Sequence, residues 1–136
     1  MSVVELGTRD LNWGKVIPPA WYRMNIKSVG EKPSKDGNSI NYPAEGEVLF
    51  NGETGSTEFA GVSVIWNFNS KAMGGFVSLM RALGHEPKAG QRVDTKAAEG
   101  VTLDVFVEND TYDGRLVHRV NHKYRAPKPE VNAVTP

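Results

Sequence analysis

Between Val62 and Gly84 the spacing of apolar residues changes period. Val62, Val64, Trp66 and Phe68 alternate with Ser63, Asn67 and Asn69, the two-residue repeat of a strand with one buried face. Beyond Ser70, the residues Ala72, Phe76, Leu79, Met80 and Leu83 fall at i, i+4, i+7, i+8 and i+11, a single apolar stripe on a helix. Ser70 is the expected N-cap, since its hydroxyl can accept from a free N–H of the first turn. Gly84 is the expected left-handed C-cap, and Pro87 bars resumption. Gly74 and Gly75 each cost such a helix about 1 kcal/mol relative to Ala. They point to close approach of another backbone or to a helix held by packing.

The same alternation predicts four more strands. In Ala20–Val29, Tyr22, Met24 and Ile26 face one way and Trp21, Arg23, Asn25 and Lys27 the other. In Ile40–Phe50, Ile40, Tyr42, Ala44, Val48 and Phe50 share a face, with Gly46 marking a bulge or bend and Pro43 tolerated beside it. Val101, Leu103, Val105 and Val107 point inward in a fourth strand, opposite Thr102, Asp104, Phe106 and Glu108. A fifth strand over Arg115–Tyr124 sets Leu116, Val120 and Tyr124 against Arg115, Val117, Arg119, Asn121 and Lys123. Asp36-Gly37 and Asp113-Gly114 are tight-turn dipeptides between these runs.

The predicted order is β-β-β-α-β-β, a mainly β chain. That is the order of the OB-fold, a five-stranded, partly open Greek-key barrel, with the helical stripe as the plug at one end. The chain divides into an N-terminal arm (residues 1–19, stiffened by Pro18 and Pro19), an OB-fold-like domain (20–124), and a C-terminal tail (125–136). The tail carries Pro127, Pro129 and Pro136 and is expected to be extended or flexible.

Composition narrows function by exclusion. The 136 residues contain no cysteine, which rules out disulfides, thiolate metal sites and cysteine nucleophiles. Sixteen basic residues balance sixteen acidic ones, so polyanion binding must rest on how charge is distributed, not on its total. No apolar run approaches the roughly 20 residues of a membrane span, and no signal-peptide pattern opens the chain. The cytoplasm is the expected compartment. His118 and His122 lie about 13 Å apart on a strand, too far for joint metal ligation. The phosphate-loop spacing is absent around Ser70-Lys71 and Gly74-Gly75. Neither a metal, a cofactor nor an enzymatic activity is expected.

From Pro18 to Tyr124 the chain resembles a family of small phage and prophage proteins that look like OB-fold single-stranded-DNA-binding proteins. The resemblance lies in Pro19-Ala20-Trp21-Tyr22, Glu31-Lys32-Pro33-Ser34-Lys35-Asp36-Gly37, Trp66-Asn67-Phe68-Asn69, Leu79-Met80-Arg81-Ala82-Leu83-Gly84 and Tyr112-Asp113-Gly114-Arg115. It implies sequence-tolerant binding of single-stranded DNA in phage replication or recombination. The tail from Lys128 to Pro136 is not acidic, so partner recruitment through an acidic tail does not carry over.

The residues that fit this reading are the outward ones of the first and fifth strands: Trp21, Arg23, Lys27, Arg115, Arg119 and Lys123. Phe106 and Ile65 extend the band, and Lys35, with Lys32, flanks it in the first loop. Cations track phosphates and aromatic faces stack bases in such a groove. The same alternation also describes an ordinary solvated face, and Glu45, Glu47, Asp104 and Glu108 share parts of it. A second function class is a phage structural or host-protein-binding protein without nucleic-acid binding, favoured by zero net charge and the apolar arm Val3–Pro19. In it the arm joins copies of the chain, with Trp13 contacting a second subunit or stapling the arm to its own barrel.

Overall fold

The computed structural model describes residues 2–134. A one-turn helix α1 (Thr8–Leu11) precedes β1 (Ala20–Val29), the two-residue β2 (Lys32–Pro33), β3 (Ile40–Asn51) and β4 (Ser63–Asn69). Helix α2 (Gly74–Ala82) and a 3-10 turn (Thr95–Ala98) lead to β5 (Thr102–Tyr112), β6 (Arg115–Arg119) and the two-residue β7 (Tyr124–Arg125). All pairings between these strands are antiparallel. The path runs β2-β3-β1-β5-β6, with β4 on β3 and β7 on β5. Among the described residues the sheet is open: β6 pairs with β5 alone, and neither β4 nor β1 receives it. Seven strands replace the expected five, because two-residue pieces stand off from the long ones.

Period-2 patterning places the core. Tyr22, Met24 and Ile26 of β1, Ala44 and Val48 of β3, Val64, Trp66 and Phe68 of β4, and Leu103, Val105 and Val107 of β5 are all buried. Phe76 and Leu79 of α2 close one end of this cluster, Phe76 meeting Phe68 edge to face with centroids 5.3 Å apart. Gly46 sits at a register shift of the β1–β3 pairing. A Cβ there would lie 2.9 Å from Met24 Sδ and 3.0 Å from the Trp66 ring. The pairing jumps from Ile26↔Gly46 to Ser28↔Glu45, leaving Lys27 as the extra residue of a bulge.

Several boundaries differ from the pattern. The helix starts at Gly74, not after Ser70, because Ser70 is claimed by the sheet. Its hydroxyl accepts from the Ile40 N–H at 2.9 Å, and its own N–H donates to the Ile40 carbonyl. Ala72 therefore lies outside the helix, exposed. Gly84, at φ 88°, ends the helix as expected. A second β3 irregularity, between Arg23↔Phe50 and Met24↔Val48, turns Phe50 to the outer face beside Arg23 instead of the core. The fifth strand breaks after Arg119. Val120 turns inward to 8% exposure, His122 takes a left-handed φ of 57°, and Leu116 stays 55% exposed.

The termini are strapped to the sheet. In the arm, buried Asn12 donates to the Glu58 and Ala60 carbonyls at 2.8 and 3.0 Å. Ile17 is fully buried, and its N–H donates to His118 Nε2 at 2.9 Å. Trp13 does not staple the arm; it is 87% exposed. The tail docks as well. Val134 N–H donates to the Gly55 carbonyl at 2.7 Å, Thr57 N–H donates to the Val134 carbonyl, and Gly55 lies so close to the Asn132 carbonyl that no side chain fits. Of the tail, 135–136 lie outside the described residues.

Candidate nucleic-acid interface

β1 and β5 set their outward residues in register, Trp21 opposite Phe106 and Arg23 opposite Asp104. The two rings meet edge to face at 5.3 Å between centroids, the arrangement that their quadrupoles favour. β7 brings Arg125 opposite Asp104 from the other side and lays its guanidinium 4.2 Å from the Trp21 ring centroid. The left-handed turn at His122 carries Lys123 back over β5. Its carbonyl accepts from the Phe106 N–H, and its ammonium sits 5.5 Å from the Phe106 ring. Each aromatic thus carries a cation on its face, a contact worth about 0.5–1 kcal/mol at exposed sites.

Asp104 organises the charges beneath. It is fully buried and accepts from Arg23 Nε at 2.6 Å and from Arg125 Nε at 3.0 Å. Gly52 makes the room; a Cβ there would lie 3.0 Å from the Asp104 carboxylate. Arg23 also stacks over Phe50 at 4.9 Å and donates to the Lys128 and Val131 carbonyls at 3.2 and 3.4 Å. Arg125 and Lys128 converge on Glu53 at 2.9 and 3.1 Å. Together, Lys128 first, they hold the Glu53 carboxyl below its ordinary pKa. A buried carboxylate shared by two guanidiniums therefore locks the tail over one end of the outer face.

The expected site residues separate into groups. Trp21, Arg23, Phe106 and Lys123 come together, but Arg23 is only 7% exposed and is neutralised by Asp104, so it presents almost no charge to solvent. Lys27 sits elsewhere, sharing Glu47 with Arg9 at 2.7 and 2.8 Å. Arg119 is ion-paired with Asp110, whose pKa is lowered by the Thr111 N–H and then by Arg119. Arg115 is exposed at the β5–β6 hairpin tip opposite Tyr112, itself 70% exposed. Lys35 is exposed in the β2–β3 turn. Lys35, Arg115 and Lys123 make no salt bridge among the described residues. Ile65 is 63% exposed, but beside the arm and β6.

Arg125 and Tyr112 were missed by pattern reading. The signal for Arg125 was its place directly after Tyr124 and before Pro127, where one more strand step is possible. The histidines serve separate partners: His118 accepts from Ile17, and His122 Nδ1 bonds the Tyr124 hydroxyl at 2.8 Å. Burial lowers the pKa of both, and raises those of Tyr22, to about 12, and Tyr124. No protein-family model matches the chain, and no curated protein matches it.

Proposed function

We propose that this protein binds single-stranded DNA with little sequence preference, in phage-type replication or recombination. It does so as an OB-fold-like domain of the phage and prophage family that its sequence resembles. It is a binder, not a catalyst. The observation that carries the reading is the Trp21–Phe106 pair with Lys123 and Arg125 on its ring faces. That is the combination of stacking surface and cation that single strands require. The fold supports it: the long strands run β4-β3-β1-β5-β6 with α2 between the third and fourth, compatible with OB connectivity. Lys35 and the Tyr112/Arg115 tip lie in the two loops that flank the groove of such folds. Lys123 swings from Phe106 to a phosphate as a base stacks in its place.

A fluorescence titration with oligo-dT tests this. Affinity should fall as salt rises, and Lys123→Glu should flatten the slope by about 0.7 or more in log–log terms. Phe106→Ala should weaken binding by about 5- to 150-fold, the equivalent of one stacked base at about 1–3 kcal/mol. Absence of binding at low salt would overturn the reading. A structural or host-protein-binding role without nucleic acid is the second reading, favoured by the exposure of Val3, Val4 and Leu6 in the arm.

A further inference from the structure

The open sheet leaves β4 as an edge strand. Its sequence, Ser63-Val64-Ile65-Trp66-Asn67-Phe68-Asn69, contains neither a charge nor a proline, the two devices that usually protect an edge from pairing with another chain. It is a short, β-prone, uncharged window of the kind that recruits a further strand. Beside it lies a groove of about 330 Å3 lined by Lys15, Val16, Ser63, Ile65, Leu116 and His118. Ile65, Leu116 and Val16 are 63%, 55% and 40% exposed.

The same chain carries an unpartnered strand-like segment. Ser2–Leu6 reads Ser-Val-Val-Glu-Leu, and Val3, Val4 and Leu6 are 87%, 77% and 67% exposed. No hydrogen bond engages residues 2–6 among the described residues. Its charged side chain is the acid Glu5; the groove lining holds the cation Lys15 and no carboxylate. The segment directly precedes α1, which is fixed against the body of the fold by Arg9 on Glu47 and, just after it, Asn12 on the Glu58 and Ala60 carbonyls. It is thus held out at a defined place instead of trailing on a long linker.

We infer that Ser2–Leu6 of one copy lies in the groove of a second copy and adds as a strand to the free edge of its β4. Backbone bonds supply affinity and Val4 and Leu6, on one face of the added strand, fill the groove, the β-augmentation mode of recognition. The exchange is reciprocal, so the contact is isologous and closes as a twofold dimer.

The test is mass in solution by sedimentation over a wide concentration range. The full chain should be a dimer of 14.9 kDa protomers, and deletion of residues 2–6 should give a folded monomer, as should Ile65→Lys. Mixing those two variants should restore a heterodimer, because one intact arm then meets one intact edge. The chain has no cysteine, so pairs can be introduced cleanly. Val3→Cys or Val4→Cys on one copy, mixed with Ile65→Cys on another, should cross-link at twice the protomer mass. A monomeric full chain, a dimer indifferent to arm deletion, or no cross-link between the mixed single-cysteine variants would overturn the inference. None of these outcomes bears on oligonucleotide affinity of the monomer, so DNA binding and arm exchange stand or fall separately.

Discussion

Replacing Asp104 by Ala isolates the charge at the centre of the outer face. The carboxylate is wholly buried, and Arg23, itself 7% exposed, depends on it. Removing one partner of a buried ion pair costs about 3–5 kcal/mol, because the remaining charge is stranded. Arg125 keeps Glu53 as a second partner at 2.9 Å, which places the expected loss near the lower end. Even about 3 kcal/mol is a large share of the roughly 5–15 kcal/mol that holds a typical domain. Urea unfolding followed by tryptophan fluorescence should show the midpoint fall with the slope unchanged. Arg23→Met with Asp104→Leu should recover part of the loss, since no guanidinium is then left without its partner in the core of the network. Asp110→Ala, which breaks the half-exposed pair with Arg119, serves as control at about 0.2–1 kcal/mol. A loss for Asp104→Ala no larger than for that control would refute the assignment of Asp104 as the anchor of β1, β7 and the tail.

Gly75→Ala should destabilise by about 1–3 kcal/mol through overpacking, because its Cβ would lie 2.5 Å from the His122 ring and His122 is held in a left-handed turn. Gly74→Ala meets nothing within 4 Å and should stabilise by up to about 1 kcal/mol; equal effects at the two sites, read by urea midpoint, would contradict the packing. Stability should also fall in acid. The folded pKa of His118 lies below its ordinary 6.5 through burial, so the unfolded chain binds the proton first. Its contribution is complete above pH 6.5 and lost as pH drops toward the folded value. His118→Gln, which keeps an acceptor for Ile17 N–H, should show a smaller decline between pH 7 and 5 in the same assay.

Much of the sheet was legible because four of its strands bury one face and expose the other. β1, β3, β4 and β5 begin within a residue or two of their apolar alternation, and Gly84 marked the helix end by its need for positive φ. What the pattern missed has a common cause: contacts between segments distant in sequence. Ser70 looked like a cap, but Ile40 takes its hydroxyl. Arg23 alternated outward as a solvated cation does, yet Asp104, Lys128 and Val131, at least 81 residues away, enclose it. Gly75 did announce close approach, though to a side chain, His122, and not to a backbone. The tail's prolines suggested freedom, whereas Val134 is bonded beside Ser56. Of the candidate site, the Trp21–Phe106 pairing followed from β1 meeting β5. Lys27 and Arg119 carried the right charge but have acids as neighbours.

The central claim is that a single strand lies across the Trp21–Phe106 face. The most direct measurement is a two-dimensional NMR titration with oligo-dT. The account predicts shifts concentrated on the Trp21 indole, the Phe106 and Lys123 amides and the Arg125 side chain, with Trp66 in the core unmoved. Shifts confined to the Lys27–Glu47 side of the sheet, or none at low salt, would contradict it.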